Sequence, residues 1–352
     1  MSRFVPLVAR DVRRETADTI SVAFTVPEEL REEFVYVPGQ YVTLRTVRDG
    51  EEFRRAYSIC SGLDEDELRV AIKRVDGGRF SEWAHRGLEA GMTVEVMPPT
   101  GRFVVALEAG AARNYAGFAA GSGITPVIAI LRSVLTREAG SRFWLFYGSR
   151  STADILFREA LEDLKDRFMG RLSVFHVLSR EQQDVAVLNG RLDREKVALL
   201  ARRLLPAGLD AAFVCGPGAM IEAVTEALVA SGVARERIHN ERFLASPGGV
   251  AARPAAAAAE GTVAAIVADG RRSEVGVRAG ESVLDAAMRA GLDLPYSCRG
   301  GMCSTCRALV TEGRVEMGVN YGLEEWEVAR GFTLTCQAVP QTPRVTVDFD
   351  QV

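Results

Sequence analysis

Cys298, Cys303, Cys306 and Cys336 are four of the six cysteines in this 352-residue chain, and they follow the spacing Cys-x4-Cys-x2-Cys with a distant fourth. That spacing holds a 2Fe-2S cluster. Each iron takes two thiolates, so three cysteines converge from one tight loop and the last returns from elsewhere in the chain. The loop reads Tyr296-Ser297-Cys298-Arg299-Gly300-Gly301-Met302-Cys303-Ser304-Thr305-Cys306, and its paired glycines let the backbone bend and aim N–H groups at sulfur. The chemistry on offer is one-electron transfer. Zinc and disulfides are the alternatives. Cys303-x2-Cys306 could be half of a zinc site, yet zinc sites join two short-spaced couples, and Cys298 with Cys336 makes no second couple. Disulfides need an oxidising compartment, whereas the residues after Met1 to Pro6 are charged rather than an apolar leader. The expectation is reduced thiols in a cytoplasmic protein.

Three further groups carry chemistry. Arg55-Ala56-Tyr57-Ser58 combines a forked cation, an aromatic plane and a small hydroxyl within four residues. Arg55 can pair with a pyrophosphate, Tyr57 can cover an isoalloxazine face, and Ser58 can hydrogen-bond near its N5; an ordinary exposed strand would read the same. Gly77-Gly78-Arg79-Phe80-Ser81 then opens a helix, whose free N–H groups and dipole favour phosphate. Gly121-Ser122-Gly123-Ile124-Thr125-Pro126 looks like a dinucleotide turn, with glycines where a pyrophosphate approaches the backbone, although a tight connection would suffice to explain it. Cys215-Gly216-Pro217 follows an apolar run, and a thiol at such a strand end can meet a nicotinamide or simply pack. Cys60 is read as packing. His85, His176 and His239 have no ligand spacing and are read as structural.

The elements that must position these groups fall into three blocks. Residues 1–106 hold short β-rich runs broken by Pro38-Gly39, Asp49-Gly50 and Asp76-Gly77-Gly78, the pattern of an antiparallel barrel. Over 107–245 strands alternate with helices, including one expected over Ile155 to Leu164, which implies a doubly wound parallel α/β sheet. Residues 246–261, with Pro247-Gly248-Gly249 and five alanines from Ala255 to Ala259, form a flexible tether. Residues 262–352 read as a hairpin across Asp269-Gly270, a helix over Ser282 to Ala290, the cysteine loop and a closing strand, together a small β-grasp module. A formal net charge of −4 argues against a nucleic-acid partner, and no apolar run is long enough to span a bilayer.

In this order the Arg55 to Ser58 segment, the Gly121 to Pro126 turn, Cys215-Gly216-Pro217 and the cysteine loop resemble a ferredoxin-NADP reductase fused to a plant-type ferredoxin, over essentially the whole chain. The wording of Arg54 to Cys60, Gly77 to Ser81, Ile238-His239-Asn240-Glu241-Arg242-Phe243 and Val347 to Asp350 is most similar to reductase subunits of phenylacetyl-CoA epoxidases, which serve phenylacetate degradation. That resemblance implies FAD, NADPH rather than NADH, and a di-iron oxygenase partner. It makes Arg55, Tyr57 and Ser58 flavin contacts, with Lys73 and the turn of Gly78, Phe80 and Ser81 on the ribityl-pyrophosphate side. It puts Gly121, Gly123, Thr125, Cys215, Gly216 and Pro217 around the nicotinamide nucleotide, with Ser58, Cys215 and Glu241 as the catalytic set. Plant-type reductases end at a tyrosine stacked on the flavin; here the chain continues, and Phe243 takes that role beside Glu241. Ser149-Arg150 and Ser179-Arg180 are similar to segments that bind the extra phosphate of NADPH, although either arginine could be a solvated surface charge. The reductase of another oxygenase, such as a ring-hydroxylating dioxygenase, an FMN-dependent version of this layout, and a non-catalytic iron-sulfur sensor are the competing readings.

Overall fold

The computed structural model describes residues 4–48, 50–243 and 261–351. Apart from Gly261, the expected tether lies outside them. The first block contains β1 (Val5–Thr16), β2 (Thr19–Thr25), β3 (Tyr41–Arg48), β4 (Glu51–Ser58), β5 (Leu68–Lys73), α1 (Arg79–Gly87) and β6 (Thr93–Thr100). The six strands pair antiparallel in the order β4-β3-β6-β1-β2-β5, and a bridge from Ile59 to Val70 brings the two outer strands together into a barrel. Alternating apolar residues such as Leu7, Val22, Leu44, Val70 and Val96 fill its inside, as the two-residue period of a strand requires.

The second block runs β7 (Asn114–Ala120), α2 (Ile124–Arg137), β8 (Arg142–Ser149), α3 (Arg158–Arg167), β9 (Leu172–Leu178), α4 (Arg194–Leu204), β10 (Ala211–Gly216), α5 (Gly218–Ala230) and β11 (Ile238–Arg242). All its pairs are parallel, in the order β11-β10-β7-β8-β9. The chain winds outward from β7 to β9, then returns to lay β10 against the other side of β7. The carboxyl ends of β7 and β10 therefore flank the point where the winding reverses, the usual crevice for a ligand in an open α/β sheet. The helix expected from Ile155 starts only at Arg158. Ile155, Leu156 and Phe157 are buried, and Phe157 takes left-handed backbone (φ 59°), so these apolar residues plug the core as a lead-in instead of forming a helical face.

The third block contains β12 (Val263–Ala268), β13 (Arg271–Gly276), α6 (Val283–Arg289), β14 (Arg307–Glu312), β15 (Val315–Met317), α7 (Glu325–Ala329), β16 (Phe332–Leu334), β17 (Ala338–Pro340) and β18 (Arg344–Asp348). Five strands lie in the order β13-β12-β18-β14-β16, with β15 and β17 paired separately. Asp269 (φ 52°) and Gly270 (φ 69°) make the expected two-residue turn, and both of their N–H groups donate to the Asp350 carboxylate at 2.7 and 2.8 Å. Ser282 caps α6, accepting from the Asp285 N–H at 3.1 Å. Among the described residues, no helix is long and apolar enough to cross a membrane.

Candidate active site and cluster loop

The barrel and the α/β sheet meet where β4 ends. Ser58, the last residue of β4, is buried, and its hydroxyl donates to Glu241 Oε2 at 3.4 Å. Glu241 lies on β11 in register with Cys215 on β10, so the hydroxyl, the carboxyl and the thiol named from sequence as one catalytic set come to the same corner. Burial pushes the Glu241 carboxyl up to about 8, and the Ser58 hydrogen bond opposes that rise. Burial, with Glu241 beside it, also drives the Cys215 thiol well above its ordinary value, so this group is a protonated thiol and no thiolate nucleophile.

The turn from β7 to α2 uses its two glycines for different reasons. Gly121 adopts left-handed backbone (φ 54°), and a Cβ there would meet nothing within 4 Å. At Gly123 a Cβ would lie 2.2 Å from the carbonyl oxygen of Cys215, so the missing side chain lets the helix start abut the end of β10. Thr125 is buried and donates to the Ser122 carbonyl at 2.9 Å, while the Tyr147 hydroxyl donates to that of Gly121 at 3.0 Å; both bonds hold the turn's shape. Gly216 ends β10 and the exposed Pro217 caps α5. Phe243 packs against the core cluster that contains Cys215 and Cys60. Cys60 is 1% exposed and its thiol donates to the Arg69 carbonyl at 3.3 Å, a packing role.

On the barrel side, the Tyr57 ring lies 5.5 Å from that of Phe80, which is itself buried and edge-on to Trp83. Arg55 is exposed, with one nitrogen donating to the Arg54 carbonyl at 2.8 Å. Gly78 caps α1, and the Ser81 hydroxyl is spent within the turn, accepting from the Val75 N–H and donating to the Gly78 carbonyl, both at 3.1 Å. Asp18, which the sequence reading did not single out, joins the two halves: it accepts from Arg150 at 2.9 Å and pairs with Lys73 at 3.2 Å. Arg150 also pairs with Asp154 at 2.6 Å. Beyond β9, the Ser179 hydroxyl donates to the Ser149 carbonyl at 3.3 Å and the Arg180 N–H to the Arg150 carbonyl at 2.7 Å, leaving both side chains at the surface. Glu181 accepts from the N–H and the hydroxyl of Thr152 at 2.7 and 2.6 Å, beside a hollow lined by Leu178, Gln183, Val185 and Leu188.

The cysteine loop turns through left-handed backbone at Arg299 (φ 55°) and Ser304 (φ 49°). The Cys298 N–H points to Cys303 Sγ at 3.4 Å, the Gly300 N–H to Cys298 Sγ at 3.3 Å, and the Thr305 hydroxyl to Cys303 Sγ at 3.2 Å. The thiols fall into two interacting pairs, Cys298 with Cys303 and Cys306 with Cys336. Among the described residues, no three His, Cys, Asp or Glu side chains gather as they would around one metal ion. Two thiolates per iron is what a two-iron cluster asks for, so the donor set, its sulfur-directed N–H groups and the partnerless buried hydroxyl of Ser297 fit such a group.

Tyr41, Arg54, Arg102 and Arg242 connect this module to the rest of the molecule. Sequence reasoning missed all four in that role. Nothing in their spacing signals it, because each partner lies more than seventy residues away in the chain.

A flavin-type barrel, a nucleotide-type sheet meeting it at Ser58 and Glu241, and a paired-thiol loop seated alongside define a reductase that carries its own ferredoxin module. Residues 7–105 match the oxidoreductase FAD-binding domain family, 118–226 the oxidoreductase NAD-binding domain family, and 266–341 the 2Fe-2S iron-sulfur cluster binding domain family. The chain is 44% identical to a subunit of the 1,2-phenylacetyl-CoA epoxidase of Escherichia coli (strain K12) over 352 residues, 99% of each chain. It is 35% identical to the "3-ketosteroid-9-alpha-monooxygenase, ferredoxin reductase component" of Rhodococcus rhodochrous, covering 99% of this chain and 97% of that one. The solved structure of phthalate dioxygenase reductase shares the fold, with a TM-score of 0.59 at 22% identity and 98% of each chain covered. The chain belongs to the family of oxygenase reductase components with FAD-binding, NAD-binding and 2Fe-2S domains, the family that includes this phenylacetyl-CoA epoxidase subunit. It is an electron-transfer oxidoreductase.

Proposed function

We propose that this reductase draws on NADPH, holds FAD at Arg55, Tyr57 and Ser58 and a 2Fe-2S cluster at Cys298, Cys303, Cys306 and Cys336, and serves the di-iron oxygenase component of a phenylacetyl-CoA epoxidase. The observation that carries the reading is the Ser58 to Glu241 contact, which joins the Arg-x-Tyr-Ser end of β4 to the strand beside Cys215. When bound, the two groups supply the chemistry the side chains lack, taking up an electron pair as hydride and releasing electrons singly.

The chain's own part is to orient and to exclude water. With its carboxyl raised to about 8, Glu241 is mostly protonated at neutral pH, so it sits uncharged beside Ser58, accepting from it at Oε2 and holding the proton at Oε1. The fully buried Cys215 thiol keeps that wall of the nicotinamide pocket dry and neutral. Gly123 lets α2 begin against β10, which fixes Thr125 and Cys215 relative to each other. Arg150, Ser179 and Arg180 share one rim of the sheet, which supports a pocket for the ribose phosphate of NADPH; Asp18 and Asp154 hold Arg150 there. Choice of oxygenase rests on the likeness to the epoxidase protein across almost the whole chain.

The test is anaerobic titration of the purified protein with NADPH and NADH in parallel, then addition of epoxidase oxygenase component, phenylacetyl-CoA and air, the O2 supplying the epoxide oxygen and taking up the two electrons. The expected result is visible bleaching, preferring NADPH, and epoxide formed only when both components are present. Colourless protein without flavin or iron after anoxic cofactor loading would end the reading, and equal efficiency with NADH would end its nucleotide assignment.

A further inference from the structure

Tyr41 begins β3 and is the cross-strand partner of Ser58 at the end of β4. Its ring is 4% exposed and backed by Gly101, where an added Cβ would come within 2.9 Å of it. The hydroxyl crosses to the ferredoxin half. It donates to the Cys303 carbonyl and lies 2.8 Å from Thr305 Oγ1, whose own hydroxyl is 3.2 Å from Cys303 Sγ. Two hydroxyl protons serve these three contacts, so with Tyr41 committed to the carbonyl, Thr305 gives its proton either to sulfur or to Tyr41. The phenol thus meets the cysteine loop at a backbone carbonyl, and it does so from the start of β3, directly across from Ser58.

Around this contact three arginines of the reductase half each reach an aromatic ring of the ferredoxin half. Arg54 donates to Asp293 Oδ1 at 2.9 Å and to the Leu294 carbonyl at 3.2 Å, and stands 4.2 Å from the Tyr296 ring. Arg102 pairs with Glu327 and lies 5.3 Å from the Trp326 ring. Arg242 lies 4.6 Å from the Tyr321 ring. Tyr321 and Trp326 remain 46% and 48% exposed, so their cation–π contacts are partly hydrated. Arg54 and Glu327 are themselves buried, so two ion pairs that water screens little and two partly hydrated ring contacts surround one directional hydrogen bond and fix an orientation.

We infer that Tyr41 is the positioning residue for the cluster loop: its hydroxyl seats Cys303 against the flavin-side end of the barrel, and the Arg54, Arg102 and Arg242 contacts brace the same seat. The inference rests on the proposed flavin site at Ser58 and cluster at the four cysteines. Tyr41→Phe keeps the ring against Gly101 and removes only the hydroxyl. In full-length protein loaded with FAD and cluster, rapid anaerobic mixing with NADPH should then bleach the flavin at the wild-type rate. Cluster reduction should slow roughly fivefold, the scale of one lost hydrogen bond. Hydrogen–deuterium exchange, which needs no turnover, should quicken in residues 298–306. Arg54→Met, on the same seat but away from the cysteines, should give the same split between the two phases. Unchanged cluster reduction and exchange in both variants would overturn the inference, as would flavin bleaching that slows in step with cluster reduction. Wild-type protein that does not bleach with NADPH would overturn the functional reading instead.

Discussion

Gly123→Ala separates a glycine kept for room from one kept for its backbone angle. An alanine Cβ at 123 would sit 2.2 Å from the Cys215 oxygen and 2.6 Å from the Cys215 carbonyl carbon; ordinary contact begins at 3.4 Å, a shortfall of 1.2 Å for the oxygen. The obstacle is backbone in a strand paired on both sides, by β7 and by β11, so no side chain can swing aside. The start of α2 or the end of β10 must move, at a cost of about 3 kcal/mol, the upper part of the overpacking range. For a cooperative unit of this size that lowers the thermal midpoint by roughly 6–12 °C. Gly121→Ala meets no atom and suffers only left-handed backbone strain, about 1 kcal/mol or roughly 2–4 °C. Thermal unfolding followed by circular dichroism reads both midpoints, and single-turnover mixing with NADPH reads whether Cys215 has been displaced. A Gly123→Ala protein that melts with the wild type and bleaches at the wild-type rate, or a Gly121→Ala protein that is the worse of the two, would refute this assignment.

Two further outcomes follow from the site. Glu241 titrates at about 8 when folded against 4.5 in an open chain, so its proton favours the folded state: that contribution is complete below 4.5 and is lost as pH rises through about 8. Thermal midpoints should therefore fall between about pH 5 and 8.5, and Glu241→Gln should flatten that part of the profile; an unchanged slope would contradict the buried carboxyl. Cys336→Ser should purify yellow, with flavin and NADPH-dependent dye reduction retained but the iron lost, and a full complement of about two irons per chain would remove Cys336 from the ligand set.

The three-block architecture could be read from the chain because each block repeats a local rule: alternation in the barrel, strand-then-helix rhythm in the sheet, and fixed cysteine spacing in the last module. The Asp269-Gly270 turn was legible for the same reason, since turn chemistry sits within a few residues, whereas Ser282, read as the first residue of a helix, is instead the cap before it. What escaped had no local signature. β15 and β17 are three residues long, too short to show a period, and β11 consists of Ile238 followed by half-buried polar residues that read as loop. The apolar run from Ile155 to Phe157 mimicked a helix start because periodicity does not see a left-handed residue. At the candidate site, residue types were legible but occupancy was not. Arg150 and Lys73 look free in the sequence, and only the folded chain brings Asp18 between them.

The first and last strands of the ferredoxin module, β12 and β18, lie side by side in parallel. Since β12 is made early and β18 late, the central ladder of this sheet cannot close while the ribosome is still decoding the segment between them. All four cysteines lie in that segment, so they emerge before the scaffold that pairs their sulfurs exists. The sheet that carries the cysteine loop thus closes only once β18 has been released, whereas the reductase half, whose strands all precede Val263, is free to take its fold well before that.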